Sequence, residues 1–432
     1  MSLAAKLALA VSMFAWAGPA AAQGAASGIS PSDTAWLLTA SALVLFMTPG
    51  LALFYGGLVR SKNVLSTMMH SFTAMGVVTL VWVFWGYSLA FGADIGKAIG
   101  GLDHVFYRGV AWDEPQPGLA IPMILFATYQ GMFAIITPAL ISGAFAERMK
   151  FGAFLLFLVL WSTFVYSPIC HWVWGGGWLG QWGVHDFAGG TVVHISSGLA
   201  ALAAALVVGK RRGYPGTAMI PHNVPWCALG GAILWFGWFG FNGGSALASN
   251  GVAALAFTTT HIAAGTAALT WLLLEFYLGG RGTIVGFVTG GVAGLVGITP
   301  AAGFVNPAGA VAIGAITSCA CYWFVSKKES FGYDDSLDAF GVHGVGGTVG
   351  AILTGVFCVR SLGLEVFSSG EITRGGLVLR QVVGAGVTIV YAFVASLVLL
   401  KIVDMVVGLR VDPDTEIAGL DVQIHGESGY TM

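Results

Sequence analysis

Asp186-Phe187-Ala188-Gly189-Gly190-Thr191-Val192-Val193-His194 and Asp335-Ser336-Leu337-Asp338-Ala339-Phe340-Gly341-Val342-His343 share one pattern: an aspartate followed eight residues later by a histidine, within an apolar, glycine-rich run. The two stretches stand five apolar segments apart. A second echo has the same offset, Phe54-Tyr55-Gly56-Gly57 in the first segment against Phe241-Asn242-Gly243-Gly244 in the sixth. An odd number of membrane crossings reverses chain direction, so segments 1 to 5 and 6 to 10 read as an inverted repeat with one span added, an architecture common in transporters. Chance similarity of two short matches is the rival reading.

Composition supports lipid as the solvent. Of 432 residues, 56% are hydrophobic and 9% charged, against roughly a quarter charged in soluble domains, and mean hydropathy is +0.83. So few charges cannot cover a water-soluble surface. The net charge of -2 lacks the basic footprint that nucleic-acid phosphates require, so no nucleic-acid partner is expected. Gly286, Gly290 and Gly294, among 64 glycines, have the spacing of a close helix contact. The five cysteines read as small core residues rather than a metal site, and no cofactor is expected.

Residues 1–22 combine Lys6, a short apolar stretch and Pro19-Ala20-Ala21-Ala22 before Gln23, the pattern of a cleavable signal peptide; an additional span is the alternative. Beyond the leader, eleven stretches reach the length of a membrane helix: 34–58, 66–92, 120–146, 151–169, 187–209, 223–242, 252–278, 283–300, 306–326, 338–358 and 382–409. This predicts an all-α polytopic membrane protein with a transmembrane domain over 23–409 and a tail over 410–432. With the mature amino end outside, twelve Lys and Arg residues fall on the inner side, Arg60, Arg148, Arg211 and Arg410 among them, and five on the outer side. The positive-inside rule therefore selects N-out and C-in.

Ionisable groups inside membrane spans are expensive and mark pathways. His194 and His343 lie about two helical turns in from opposite faces, at ~1.5 Å per residue, and approach the midplane from both sides. Two unrelated packing histidines are the alternative. Asp186, and at the mirrored entrance Asp335 and Asp338, read first as helix caps. Tyr129 and Phe133 are four apart, and Trp238, Phe241 and Ser245 fall at i, i+3 and i+7, so each set can present one helix face. Packing explains such stripes as well, and Trp174 reads by default as an interface anchor. Together, though, π faces, a hydroxyl and two imidazoles suit a small cation that donates hydrogen bonds.

At these residues the chain resembles the ammonium transporter family, the Amt/Mep branch of the Amt/Rh superfamily. The similarity runs through Thr48-Pro49-Gly50-Leu51-Ala52-Leu53-Phe54-Tyr55-Gly56-Gly57, Trp174-Gly175-Gly176-Gly177, Asp186 to His194, Gly237-Trp238-Phe239-Gly240-Phe241-Asn242 and Phe340 to Gly347. The resemblance implies an eleven-helix homotrimer with one pore per subunit in the bacterial inner membrane. It implies an outer ammonium site at Trp174, Phe133 and Ser245 with Trp238 nearby, a pore gate of Phe133 and Phe241, and a pore pair of His194 and His343. Asp186 matches the family's outer aspartate. The resemblance also puts Tyr129 in the outer aromatic cage, where many bacterial members carry phenylalanine. The tail, which alone reads as a polar, partly disordered end, resembles the family's regulatory tail, and that kinship implies a PII signalling protein as partner.

Moving an ammonium-sized ion into low dielectric costs on the order of 20 kcal/mol in the ideal limit and several after relaxation, while a desolvated cation–π contact returns about 2. Capture of the cation, loss of its proton near the phenylalanines and passage of neutral ammonia along the histidines is therefore expected. Two imidazoles can relay the proton. The resemblance favours net electrogenic transport; an electroneutral gas channel and an ammonium sensor are the alternatives. With no nucleophile and base, metal set or phosphate loop in suitable context, an enzyme is not expected.

Overall fold

The computed structural model describes residues 28–364 and 372–430; the segment read as a signal peptide lies outside them. Apolar runs bounded by Ser, Thr, Asn and Pro set the helices. Ser30 caps the first, Asn223 the sixth, Thr283 the eighth, Asn306 the ninth and Thr373 the eleventh, each through a side-chain oxygen that accepts a backbone N–H. The described helices long and apolar enough to cross a membrane number ten: α1 (Pro31–Leu58), α2 (Ser61–Phe91), α3 (Met123–Phe145), α4 (Phe151–Trp182), α5 (Gly190–Val208), α6 (Val224–Ala246), α7 (Gly251–Gly279), α9 (Pro307–Phe331), α10 (Phe340–Phe357) and α11 (Arg374–Val407). The expected span 283–300 is the shorter α8 (Ile284–Ile298), 15 residues, which ends in a turn at Thr299. At ~1.5 Å per residue it covers less than a bilayer's ~30 Å. Leu38, Leu45, Leu80, Leu206, Phe236, Leu273, Val390 and Val398 stay exposed on the outside, the surface of a multi-pass membrane protein.

The helices that carry each echo pack against one another. On the α1 and α6 faces, Gly57 lies against Asn223 and Cys227, and Gly240 against Ala40 and Leu43, so the helices run antiparallel. In the same sense Gly198 of α5 abuts Gly344 of α10, and Gly347 abuts Gly190 and His194. Gly198 and Gly347 each sit four residues past a histidine of the pair, and the absence of a side chain there lets the two backbones cross where the imidazoles meet. Gly290 and Gly294 of α8 likewise face α7 at Trp271 and Ala267. Of the cysteines, Cys170, Cys227, Cys321 and Cys358 are buried and Cys319 is exposed.

At one end of the bundle the loop charges are not solvated. Glu147 accepts from Arg60 in a bidentate pair at 3.0 and 2.9 Å and from Arg211 at 3.2 Å. Arg211 also pairs with Asp334 through Nε and a terminal nitrogen at 2.9 and 2.8 Å. Arg148, fully buried, donates to the carbonyls of Ala144, Ala146, Gly209 and Asp334. Burial alone would raise both carboxyls, but Arg60 and Arg211 hold Glu147, and Arg211 and Arg148 hold Asp334, below their ordinary values.

The tail is ordered against this same end, contrary to the polar, partly disordered reading. Val411 N–H donates to Arg148 O, Arg410 to the carbonyls of Val208 and Lys210, and Arg212 N–H to Glu416. After the short α12 (Pro413–Ala418), Asp421 accepts from the N–H groups of Leu65 at 3.0 Å and Ser66 at 2.8 Å, serving as a cap for a helix more than 350 residues earlier in the chain. Enough buried hydrogen bonds fix this segment to offset the ordering entropy that a polar composition suggested would win.

Candidate functional site

An open cavity of about 700 Å³ lies at the end of the bundle opposite the ion-pair cluster, lined by Phe133 and Gln130 of α3, Trp174 of α4, Asp186, and Ser245 and Leu247 at the end of α6. The chain breaks after α4's Val173 and turns through Trp174 and the three following glycines, which swings the half-buried indole over the cavity. Its Nε1–H donates to the Asp186 carbonyl at 2.8 Å, and its ring meets Phe133 edge-on, centroids 5.8 Å apart. Ser245 Oγ donates to Phe241 O at 2.8 Å. With its proton so engaged, the hydroxyl presents lone pairs to the cavity.

Phe133 and Phe241 stand beneath, centroids 4.3 Å apart and tilted by 41°. Phe133 borders the open cavity, and Phe241 borders a second, enclosed space of about 10 Å³ lined by Tyr55, Leu140, Trp238, Val292, His194 and His343. That is at the lower edge of the volume that holds one water. His194 and His343 face each other here, rings nearly parallel at 17° with Nδ1 atoms 3.2 Å apart. One Nδ1 must carry the proton and the other accept it. His194 Nε2 is buried without a hydrogen-bond partner and its ring stacks on Trp238 at 5.4 Å.

Both histidines lie in π-helical turns, Gly190–Ile195 and Phe340–Gly344, a widening frequent at functional sites. The aspartates explain how these turns begin. Asp186 accepts four backbone N–H bonds, from Gly189, Gly190, Thr191 and Val192, at 2.7 to 3.0 Å. Gly189 adopts φ 111°, and a Cβ there would also strike Val193 and crowd the Trp174 ring. Burial raises the Asp186 carboxyl despite the four N–H groups that oppose it. Asp335 caps the mirrored turn through Ala339 and Phe340 N–H at 3.1 and 2.7 Å, and burial pushes its carboxyl up to about 6 against the pull of Lys328. Asp338 does something else: at φ 60° it pairs with Lys328 at 2.5 Å.

Two aromatic residues sit apart from their expected positions. Trp238 borders the enclosed space beside His194, not the outer cavity, and its Nε1–H donates to Thr299 Oγ1 at 2.9 Å. Tyr129 is buried behind Phe133, its hydroxyl 2.9 Å from the carbonyls of Gly240 and Phe241 and 3.2 Å from Ser245 Oγ, so it braces the α3–α6 contact. Gln130 and Tyr55 were missed. A glutamine inside an apolar span is itself a signal of a cavity or partner, whereas Tyr55 stood in a quoted motif with nothing to say which way its ring faced.

The family model described as Ammonium Transporter Family matches residues 35–430. A curated ammonium transporter of Bacillus subtilis (strain 168) is 52% identical over 402 residues, covering 92% of this chain and 98% of that one. Among solved structures, Candida albicans Mep2 is similar with a TM-score of 0.83 at 37% identity, over 90% of this chain and 88% of that one. A protein titled a sensor Amt protein has a TM-score of 0.84 at 32% identity, over 91% of this chain and 98% of that one. With matches of this length and identity along a helical bundle whose aromatic cavity opens above a buried histidine pair, the chain belongs to the ammonium transporter family.

Proposed function

We propose that this chain recruits ammonium at the Trp174–Phe133–Ser245 cavity, strips its proton at the Phe133–Phe241 pair and conducts ammonia past His194 and His343, with net electrogenic uptake. The observation that carries this reading is the 3.2 Å Nδ1 contact inside an enclosed apolar space. A shared proton there can move from one ring to the other while His194 Nε2 faces the passenger, so the pair is a relay as well as a lining. Ser245 Oγ, its own proton bonded to Phe241 O, turns lone pairs to the cavity that can accept a directed N–H bond from ammonium, whereas potassium has neither an N–H to donate nor a proton to surrender. The ion's desolvation cost of several kcal/mol exceeds the ~2 kcal/mol of a cation–π contact, which favours deprotonation over passage of the intact ion.

This reading includes eleven spans with an inverted 5+5 repeat, the amino end outside, a transmembrane domain over 23–409 and a cytoplasmic tail over 410–432. It also includes a homotrimer in a bacterial inner membrane and a PII protein meeting the docked tail. The test is purified protein in liposomes on a solid-supported membrane. Ammonium jumps are expected to give currents that potassium jumps do not; equal currents from both salts reject the mechanism. The likeness to a protein titled a sensor favours a second reading, an ammonium sensor on the same fold, for which binding without sustained current is the expected result.

A further inference from the structure

His171 is buried in α4 three residues before Trp174, and both its ring nitrogens meet oxygen. Nδ1 lies 2.9 Å from Ala90 O, and Nε2 lies 2.9 Å from Asp94 Oδ1. A carbonyl can only accept, as can an ionised carboxylate, while neutral imidazole carries a single N–H. Both contacts are hydrogen bonds only when the ring holds two protons. The Asp94 side chain is 37% exposed and the His171 side chain 0%, so the buried ring is tied to a carboxylate that reaches solvent.

The partner strand is part of a small hairpin, β1 (Asp94–Ile95) and β2 (Ile99–Gly100), and that hairpin grips the same helix end twice more. Trp172 Nε1–H donates to Ala98 O at 2.7 Å and Trp178 N–H to Lys97 O at 3.1 Å. Between these anchors runs the turn carrying Trp174, closed by Gly177 N–H donating to His171 O at 2.9 Å. A Cβ on Gly175 would strike both Ala90 O and the His171 ring, so the turn rests directly on the paired imidazole.

We infer that His171 is a positioning residue for recruitment: as an imidazolium bridging Ala90 and Asp94, it pins the hairpin to α4 and thereby sets the Trp174 indole over the cavity. The inference rests on the ammonium-recruiting role proposed for that cavity. Loss of either bond loosens the turn and weakens capture without altering the pore below.

Asp94→Asn separates this role from a merely structural one. An asparagine can turn its amide N–H to an unprotonated Nε2, so a neutral His171 keeps both bonds, whereas Asp94→Ala keeps only one. In the supported-membrane assay, Asp94→Ala is expected to raise the half-saturating ammonium concentration severalfold over wild type, with the maximal current little changed. Asp94→Asn, which can still bond Nε2, is expected to stay near the wild-type value. An Asp94→Asn half-saturation as high as that of Asp94→Ala, or an Asp94→Ala half-saturation equal to wild type, overturns the inference. Solid-state nitrogen-15 NMR of histidine-labelled protein near pH 6, with the signal assigned by its loss in His171→Gln, is expected to show two protonated ring nitrogens; one protonated nitrogen overturns the clamp whatever the currents do. Absence of ammonium current in every variant would refute the transport reading, while the NMR result would still decide the state of the ring.

Discussion

Gly347→Ala tests whether the two imidazoles must touch. A methyl at this position would stand 2.9 Å from His194 Cβ, 2.9 Å from Gly190 O and 3.0 Å from Ile195 N, against a normal carbon contact of ~3.5 to 4.0 Å. None of these atoms is the end of a flexible side chain, so α5 and α10 must part by ~0.6 Å or more. The displacement bears directly on His194, and the Nδ1 separation of 3.2 Å grows to about 3.8 Å, past hydrogen-bond range. Overpacking of this kind typically costs about 1 to 3 kcal/mol, which a bundle of this size tolerates, so the variant is expected to fold. In liposomes on a supported membrane, its ammonium current should fall at least tenfold while the half-saturating concentration, set in the outer cavity, stays within about twofold, since one factor of ten corresponds to ~1.4 kcal/mol. Gly198→Ala presses from the other helix on the Gly344 backbone and should give the same result. Wild-type current in a folded Gly347→Ala protein would refute the claim that a direct imidazole contact carries the proton.

Other perturbations separate the parts of the site. His194→Ala and His343→Ala should each abolish selective electrogenic flux, and potassium current in either would show that the pair also excludes hydrated cations. Trp174→Leu removes a cation–π contact of about 0.5 to 2 kcal/mol and should raise half-saturation by roughly 2- to 30-fold with the maximal current retained. Glu147 and Asp334, ordinarily near 4.5 and 3.8, are held lower in the fold; they bind protons more weakly folded than unfolded, so their stabilisation is complete above those values and lost as pH falls below about 4. Melting temperature should therefore drop on acidification below that pH. In Arg211→Met the stranded carboxylates should weaken that acid loss or reverse it, and an unchanged acid profile would count against the pairing. Asp421→Ala strips the tail's cap from Leu65 and Ser66 and should cost about 1 kcal/mol, read as increased protease cleavage of the tail.

The membrane helices were legible because hydropathy is a local property: α1, expected from 34, begins at Pro31, and α6, expected over 223–242, begins at Val224. The histidine pair was legible for another reason, since the repeated spacing of Asp186 and Asp335 supplied long-range information that a single segment lacks. Trp238 was misplaced because helical spacing put it on a face with Ser245 while about two turns of rise separate them along the axis. The charged residues Arg148 and Arg211 looked like solvated loop residues; what buries them is Asp334, over a hundred positions away. No window over the chain reports such a pairing, nor the bond between His171 and Asp94.

On the proposed ammonia path, the narrowness of the chamber between Phe241 and the two histidines would set how traffic is timed. At about 10 Å³ the resting cavity has scarcely room for one small molecule, so a crossing would wait for aromatic side chains to swing aside. Ring rotation against packed neighbours is thermally activated, and dense interiors yield only in discrete jumps. Throughput is then metered by how often the walls breathe rather than by how fast solute diffuses, and the flux should climb more steeply on warming than it would through a water-filled hole.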